Sequence, residues 1–194
     1  MADLATNYVL GYHGCEREVG EALLAGVSFK PSDNKYDWLG PGIYFWEADP
    51  LRGFEWAETQ VKKGKFKEAF VVGAAIDLGH CLDLFSRSAI VAVKRSYESL
   101  IELHDADTTL GPLPVNELGE DKLLRHLDCA VINNFHQIVA DRGLQRYDSV
   151  RGLFREGKPI YTDAGFYAKS HIQIAICNPA NILGVFRVPE DHLS

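Results

Sequence analysis

The chain has 194 residues, 46% of them hydrophobic and 24% charged, enough to bury one substantial core, and its formal net charge of -7 gives no overall attraction to nucleic acid or to an anionic membrane. The four cysteines, Cys15, Cys81, Cys129 and Cys177, form no C-x-x-C pair, which argues against a zinc site or a dense disulfide framework and for a reducing compartment. No apolar run reaches the roughly 18 to 20 residues of a membrane helix, and MADLATN carries neither a basic nor an apolar leader, so the expectation is one cytoplasmic domain over residues 1–194.

In chain order, NYVLGYH reads as a first strand and EREVGEALLAG as a helix with Val19, Leu23 and Leu24 on one face, stopped by Gly26. YDWLGPGIYFWE, residues 36–47, sets Gly and Pro breakers inside an aromatic run. This is the pattern of a turn that lets something approach the backbone. DPLRGFEWAETQVKK follows as a helix with Asp49 as N-cap, Pro50 at its first position, and Phe54, Ala57 and Val61 in phase. EAFVVGAAIDL reads as a strand buried on both faces.

Two helices are then expected. AIVAVKRSYESLIELH has Ile90, Val93, Tyr97 and Leu100 in phase, and EDKLLRHLDCAVINNFHQIV has Leu123, Leu127, Val131 and Phe135 in phase, with DADTTLGPLPVNELG a loop between them. SVRGLF, SHIQIAIC and NILGVFRV read as strands separated by turn-rich segments such as REGKPIYTDAG. Strand-rich ends around a helical middle give a single-domain α+β fold.

Three features fall in a telling order: GYHGC on the first strand, GPGIYF before a helix, and HIQIAIC on a late strand. Together they resemble the H-Y-E class of ADP-ribosyltransferases, the group of the poly(ADP-ribose) polymerase catalytic domain and diphtheria toxin. The resemblance spans nearly the whole chain and implies a split mixed or antiparallel sheet with NAD as substrate and no metal. On that resemblance, His13 bonds the adenosine-side ribose, the Gly14 backbone grips the carboxamide, and Tyr44 stacks on nicotinamide. Trp56 or Phe54 supplies the second aromatic, because Glu55 occupies the family's offset, and Tyr36 or Trp38 shares the slot, while Trp46 belongs to the core.

Where that family has Glu, this chain has Gln173, which hydrogen-bonds a ribose hydroxyl but takes no proton. Chain-elongating synthesis is therefore not expected. The implied activity is mono-ADP-ribosyl transfer to a macromolecular acceptor, protein or nucleic acid, by a bacterial toxin or phage-defence effector that an antitoxin or inhibitor protein restrains. An NAD glycohydrolase and a silent NAD- or ADP-ribose-binding module are the alternatives. Strand alternation puts His171 on the same face as Gln173 and makes it a residue that directs the acceptor, or simply a packed histidine, with Glu156 next in line for a carboxylate role. The charges at Arg151, Arg155, Glu156 and Lys158 fall where the resemblance implies an acceptor-facing loop, or are simply solvated, and the basic VKKGKFK, with Phe66 among its lysines, reads as a solvated helix-to-strand connection or as a contact for phosphates or a nucleic-acid backbone. His126 and Asp128 read as helix surface.

Overall fold

Strand β1 (Tyr8–Glu16) runs past the His13-Gly14 pair to Glu16 and pairs antiparallel along its length with β3 (Ala69–Asp77). The computed structural model describes residues 8–117, 121 and 123–193. Helix α1 (Arg17–Leu24) follows β1 directly and buries Gly20 and Leu23. Val19 is exposed, because α1 meets the sheet along the edge where Phe70 occupies the space a side chain on Gly20 would need.

β2 (Ile43–Glu47) leads into α2 (Pro50–Lys62), whose N-cap is Asp49, accepting from the Arg52 backbone N–H at 2.9 Å, with Pro50 in the first turn. In β3 five consecutive residues, Phe70 to Ala74, are buried, as its unbroken apolar run requires. β4 (Cys81–Asp83) is too short to show a period in the sequence. It pairs parallel with β7 (Ser149–Phe154).

The middle helices differ from their expected faces. In α3 (Arg87–Ala106) the buried residues are Ala89 and Ser96, whereas Ile90 and Tyr97 are exposed. α3 packs chiefly on α4 (His126–Asp141), at a distance close enough for Ser96 Oγ to donate to the Val131 carbonyl at 2.9 Å, so small residues hold the contact. α4 itself starts at His126, not at the start of EDKLLRHLDC, of which Glu120 and Lys122 lie outside the described residues. Leu124 and Arg125 instead form β6 (Leu124–Arg125), paired with β5 (Asn116–Glu117), and Asn116 Oδ1 accepts from the Leu127 N–H at 2.9 Å. A side chain from the preceding loop thus caps the helix, and Leu123 is left exposed. That loop also carries a short 3-10 turn over Thr108–Leu110.

β8 (His171–Ile176) and β9 (Ile182–Arg187) complete a seven-stranded sheet of order β4-β7-β8-β2-β1-β3-β9, antiparallel except at β4–β7. The fold is therefore α+β with a mixed sheet and two helices inserted in the middle of the chain. One core, with Leu39, Leu82, Ile132, Val150 and Ala175, lies under α4, and another gathers Ile43, Phe45, Ile76, Ile174 and Ile176. Among the described residues no helix is long and apolar enough to cross a membrane.

Candidate functional site

β1 and β2 pair only at Gly11–Glu47 and Tyr12–Trp46, while β1 stays bonded to β3 through Glu16 and β2 stays bonded to β8 back to Ile43. The two central strands part, and a cavity of about 500 Å³ opens beside the divergence. His13, Gly14, Tyr36, Tyr44, Trp56 and Gln173 all line it, so six of the seven sequence-derived site residues meet there.

His13 bridges the point of separation, its Nδ1–H donating to the Tyr44 carbonyl at 2.8 Å. Its ring is held edge-on by Phe29, with Phe45 tilted against it. Burial pushes its pKa down, so the ring is neutral, and with the proton on Nδ1 the other nitrogen is an acceptor. Gly14 has a reason to be glycine other than a ligand. A Cβ there would overlap the Gly53 carbonyl oxygen, so the missing side chain lets α2 lie directly against β1.

Tyr44 is anchored through its hydroxyl, which accepts from the Leu39 N–H at 3.0 Å and donates to the Gly40 carbonyl at 2.8 Å. Burial raises its pKa well above the usual phenol value. Gly40 sits at φ 79, a conformation that favours glycine, with Ile132 of α4 packed against it. The loop before β2 is tied by Asp37, whose carboxylate accepts from Ser32 Oγ and the Asn34 N–H, each at 2.7 Å. Asp37, Tyr36 and Ser32 then form one wall of the cavity. Of the two candidates for the second aromatic, Trp56 faces the cavity, whereas Phe54 packs with Tyr12, Val71 and Val188.

Gln173 is oriented by Trp38, whose indole N–H donates to Oε1 at 2.7 Å. An indole only donates, so the Gln173 amide nitrogen is the end left for other partners. Trp38 thus acts through Gln173 and does not line the cavity. Sequence reading had no signal for this pairing, which joins residues 135 apart. Nor did it single out Lys30, which with Lys65 adds positive charge to the cavity wall.

His171 does not line this cavity. It lines an adjoining one of about 690 Å³ that shares Tyr36, Trp46, Trp56, Gln60, Lys65 and Gln173 with the first. Gln173 stands between the two. His171 is 6% exposed, stacks on Phe154 with centroids 5.3 Å apart, and donates from Nδ1 to the Lys169 carbonyl at 2.7 Å. Burial lowers its pKa. Ile172 on the opposite face is only partly buried, while Ile174 is fully so. Trp46 is buried as expected, yet it lines both cavities.

Of the charged residues near β7, Arg155 and Lys158 are exposed, as a solvated connection would have them, whereas Arg151 and Glu156 are structural partners. Arg151 grips Glu47 through Nη2 at 2.8 Å, and Glu156 accepts from Arg52 at 2.7 Å with both side chains mostly buried. Likewise Asp128 accepts from Asn116 Nδ2, and His126 bonds the Lys35 carbonyl. Among the described residues no group of three or more His, Cys, Asp or Glu is placed to hold a metal ion. Chemically, the first cavity offers aromatic faces, an imidazole acceptor, an oriented amide donor, two lysines and the carboxylates of Glu16 and Asp37. Comparison with family models, with curated proteins and with solved structures finds no match.

Proposed function

We propose that the chain is a mono-ADP-ribosyltransferase that binds NAD in the cavity between β1 and β2 and transfers one ADP-ribose to a macromolecular acceptor. The observation that carries this reading is the parting of β1 from β2 at His13, with Tyr44, Trp56 and Gln173 converging on the gap. Nicotinamide enters against Tyr44, with Trp56 as the second aromatic. Nε2 of His13 accepts from an adenosine-ribose hydroxyl, and Lys30 and Lys65 meet the pyrophosphate. The Gln173 amide donates to the ribose next to nicotinamide, whose C1′–N bond breaks through an oxocarbenium-like state. A neutral amide supports that state with a dipole instead of a charge, which suits single transfer. A silent NAD- or ADP-ribose-binding module is the second reading, favoured by the neutral Gln173 and by Glu156, the other carboxylate candidate, lining only the adjoining cavity and being engaged by Arg52.

Calorimetry with NAD, followed by assay of nicotinamide release with and without cell lysate, tests this. Binding in the micromolar to millimolar range that His13→Ala weakens, with label passing to lysate macromolecules, is the expected result. Release without transfer makes the protein a glycohydrolase, binding without release makes it a silent module, and no binding sinks the proposal. As a toxin, the wild type slows growth of a bacterial host while His13→Ala at matched expression does not.

A further inference from the structure

The second cavity holds polar groups that the fold leaves without partners. The indole N–H of Trp46 and Nε2 of His171, in residues each 6% exposed, are buried and unbonded. So is Nε of Arg52, whose other guanidinium nitrogens bind Glu55 at 3.1 Å and Glu156 at 2.7 Å. All three residues line this one cavity. Buried polar groups in folded proteins are nearly always satisfied. Two others, Nε of Arg125 and Nε2 of His136, are unbonded on other cavities, but three belong to residues lining this one, and a ligand that enters it and draws these side chains toward it satisfies them. Of these three, two are donors. The third is an acceptor, because Nδ1 of His171 gives its proton to the Lys169 carbonyl.

The rim of the cavity narrows the choice of ligand. Lys62, Lys63 and Lys169 line it outside the first cavity and Lys65 stands on the shared wall, none of them in an ion pair among the described residues. Trp56 and Tyr36, 38% and 40% exposed, stand on the wall shared with the first cavity. Unpaired lysines beside exposed aromatic rings are the means by which proteins hold single-stranded nucleic acid, the cations taking phosphates and the rings stacking on bases. An arginine or lysine from a protein acceptor is cationic and donates only. It would meet two donors and the lysines; of the lining carboxylates Glu55 and Glu156 are already paired with Arg52 and Glu58 is left to oppose the lysines, whereas a nucleobase edge offers acceptors and a donor together.

We propose that this cavity takes a base of a single-stranded nucleic acid and presents it to the neighbouring slot as the acceptor of ADP-ribose; the transfer step rests on the slot's being the NAD site. The lone pair of a base nitrogen forms the bond to C1′ of the ribose while the bond from C1′ to the nicotinamide nitrogen breaks, its electron pair leaving with neutral nicotinamide. The proton from that base nitrogen passes to Nε2 of His171 and leaves to solvent after the product departs.

The test uses the full chain, fluorescent single-stranded DNA and RNA oligonucleotides for binding, and labelled NAD with the same oligonucleotides and a protein mixture for transfer. Binding is expected to weaken with salt. The double substitution Lys62→Glu and Lys63→Glu should lower affinity at least about tenfold at low salt and shrink the salt slope by about 1.4, from two contacts at about 0.7 each. Arg95→Glu, on an exposed part of α3, should bind as wild type does. Trp46→Phe keeps the ring, removes the N–H, and should lower oligonucleotide labelling more than nicotinamide release. Oligonucleotide binding that the lysine substitutions leave intact, or label passing to protein while oligonucleotides stay unlabelled, overturns the proposal. Because oligonucleotide binding is read without NAD, failure of the NAD site leaves that reading standing or falling by itself.

Discussion

Tyr44 joins the fold to the slot, and removing its hydroxyl separates the two roles. In Tyr44→Phe the ring stays in place, but the Leu39 N–H and the Gly40 carbonyl lose their bonds at 3.0 and 2.8 Å. Leu39 is fully buried and Gly40 is pinned against α4, so neither group turns easily to water. Two hydrogen bonds at about 1 kcal/mol each, with part of the penalty for leaving buried groups unpaired, give a loss of about 2–3 kcal/mol. For a chain of this size that corresponds to a Tm lower by about 4–12 °C, read by calorimetry and cross-checked by urea unfolding. NAD affinity should fall less in Tyr44→Phe than in Tyr44→Ala, where loss of the stacking face removes a further 1–3 kcal/mol or so. A Tm within about 1 °C of wild type would refute the anchoring role. Equal NAD affinity of the Ala and Phe variants would refute the stacking role.

Gly14→Ala places a Cβ on the backbone of α2 and should cost about 1–3 kcal/mol by urea unfolding, more than Gly53→Ala, whose Cβ meets side chains at 3.2 and 3.4 Å. An order reversed between these two variants counts against the close approach of α2 to β1. Gln173→Ala should slow nicotinamide release by roughly 10- to 1,000-fold, whereas Gln173→Glu retains the Trp38 contact and should hold or raise it; if neither substitution alters turnover, β8 carries no catalytic group. His13, His136 and His171 all have pKa values lowered by burial from 6.5, so the unfolded chain binds protons more readily than the folded one. Their contribution is complete above that value and is lost as pH falls below it, so the urea midpoint should drop between about pH 7.5 and about pH 5, and a midpoint that holds or rises contradicts the burial of these rings.

Several elements were legible because local chemistry decides them. The Asp49-Pro50 start of α2, Gly26 after α1 and the unbroken apolar run of β3 each depend on neighbours within a turn or a strand, and each stands where the pattern puts it. The faces of α3 and the start of α4 were not legible in this way, because a helix packed chiefly on another helix buries whichever residues that partner approaches. Ala89 and Ser96 fit closely against α4 where Ile90 and Tyr97 would not, and a cap supplied by Asn116 fixes the first turn of α4 from outside it.

The same division runs through the site. The order of His13, Tyr44 and Gln173 along the chain and the alternation of His171 with Gln173 follow from the sequence, since strand pleating alone places every second side chain on one face. Which cavity each residue meets was decided by the sheet: β1 leaves β2 after a pairing of two residues, and Gln173 lies on the wall between two spaces, with His171 in the second alone. Tertiary packing also supplied what no spacing encodes, the Trp38 hold on Gln173 and the unbonded Trp46, Arg52 and His171 atoms around one cavity. Those groups come from segments far apart in the chain, and hydrogen bonds act over about 3 Å of space whatever the separation in sequence.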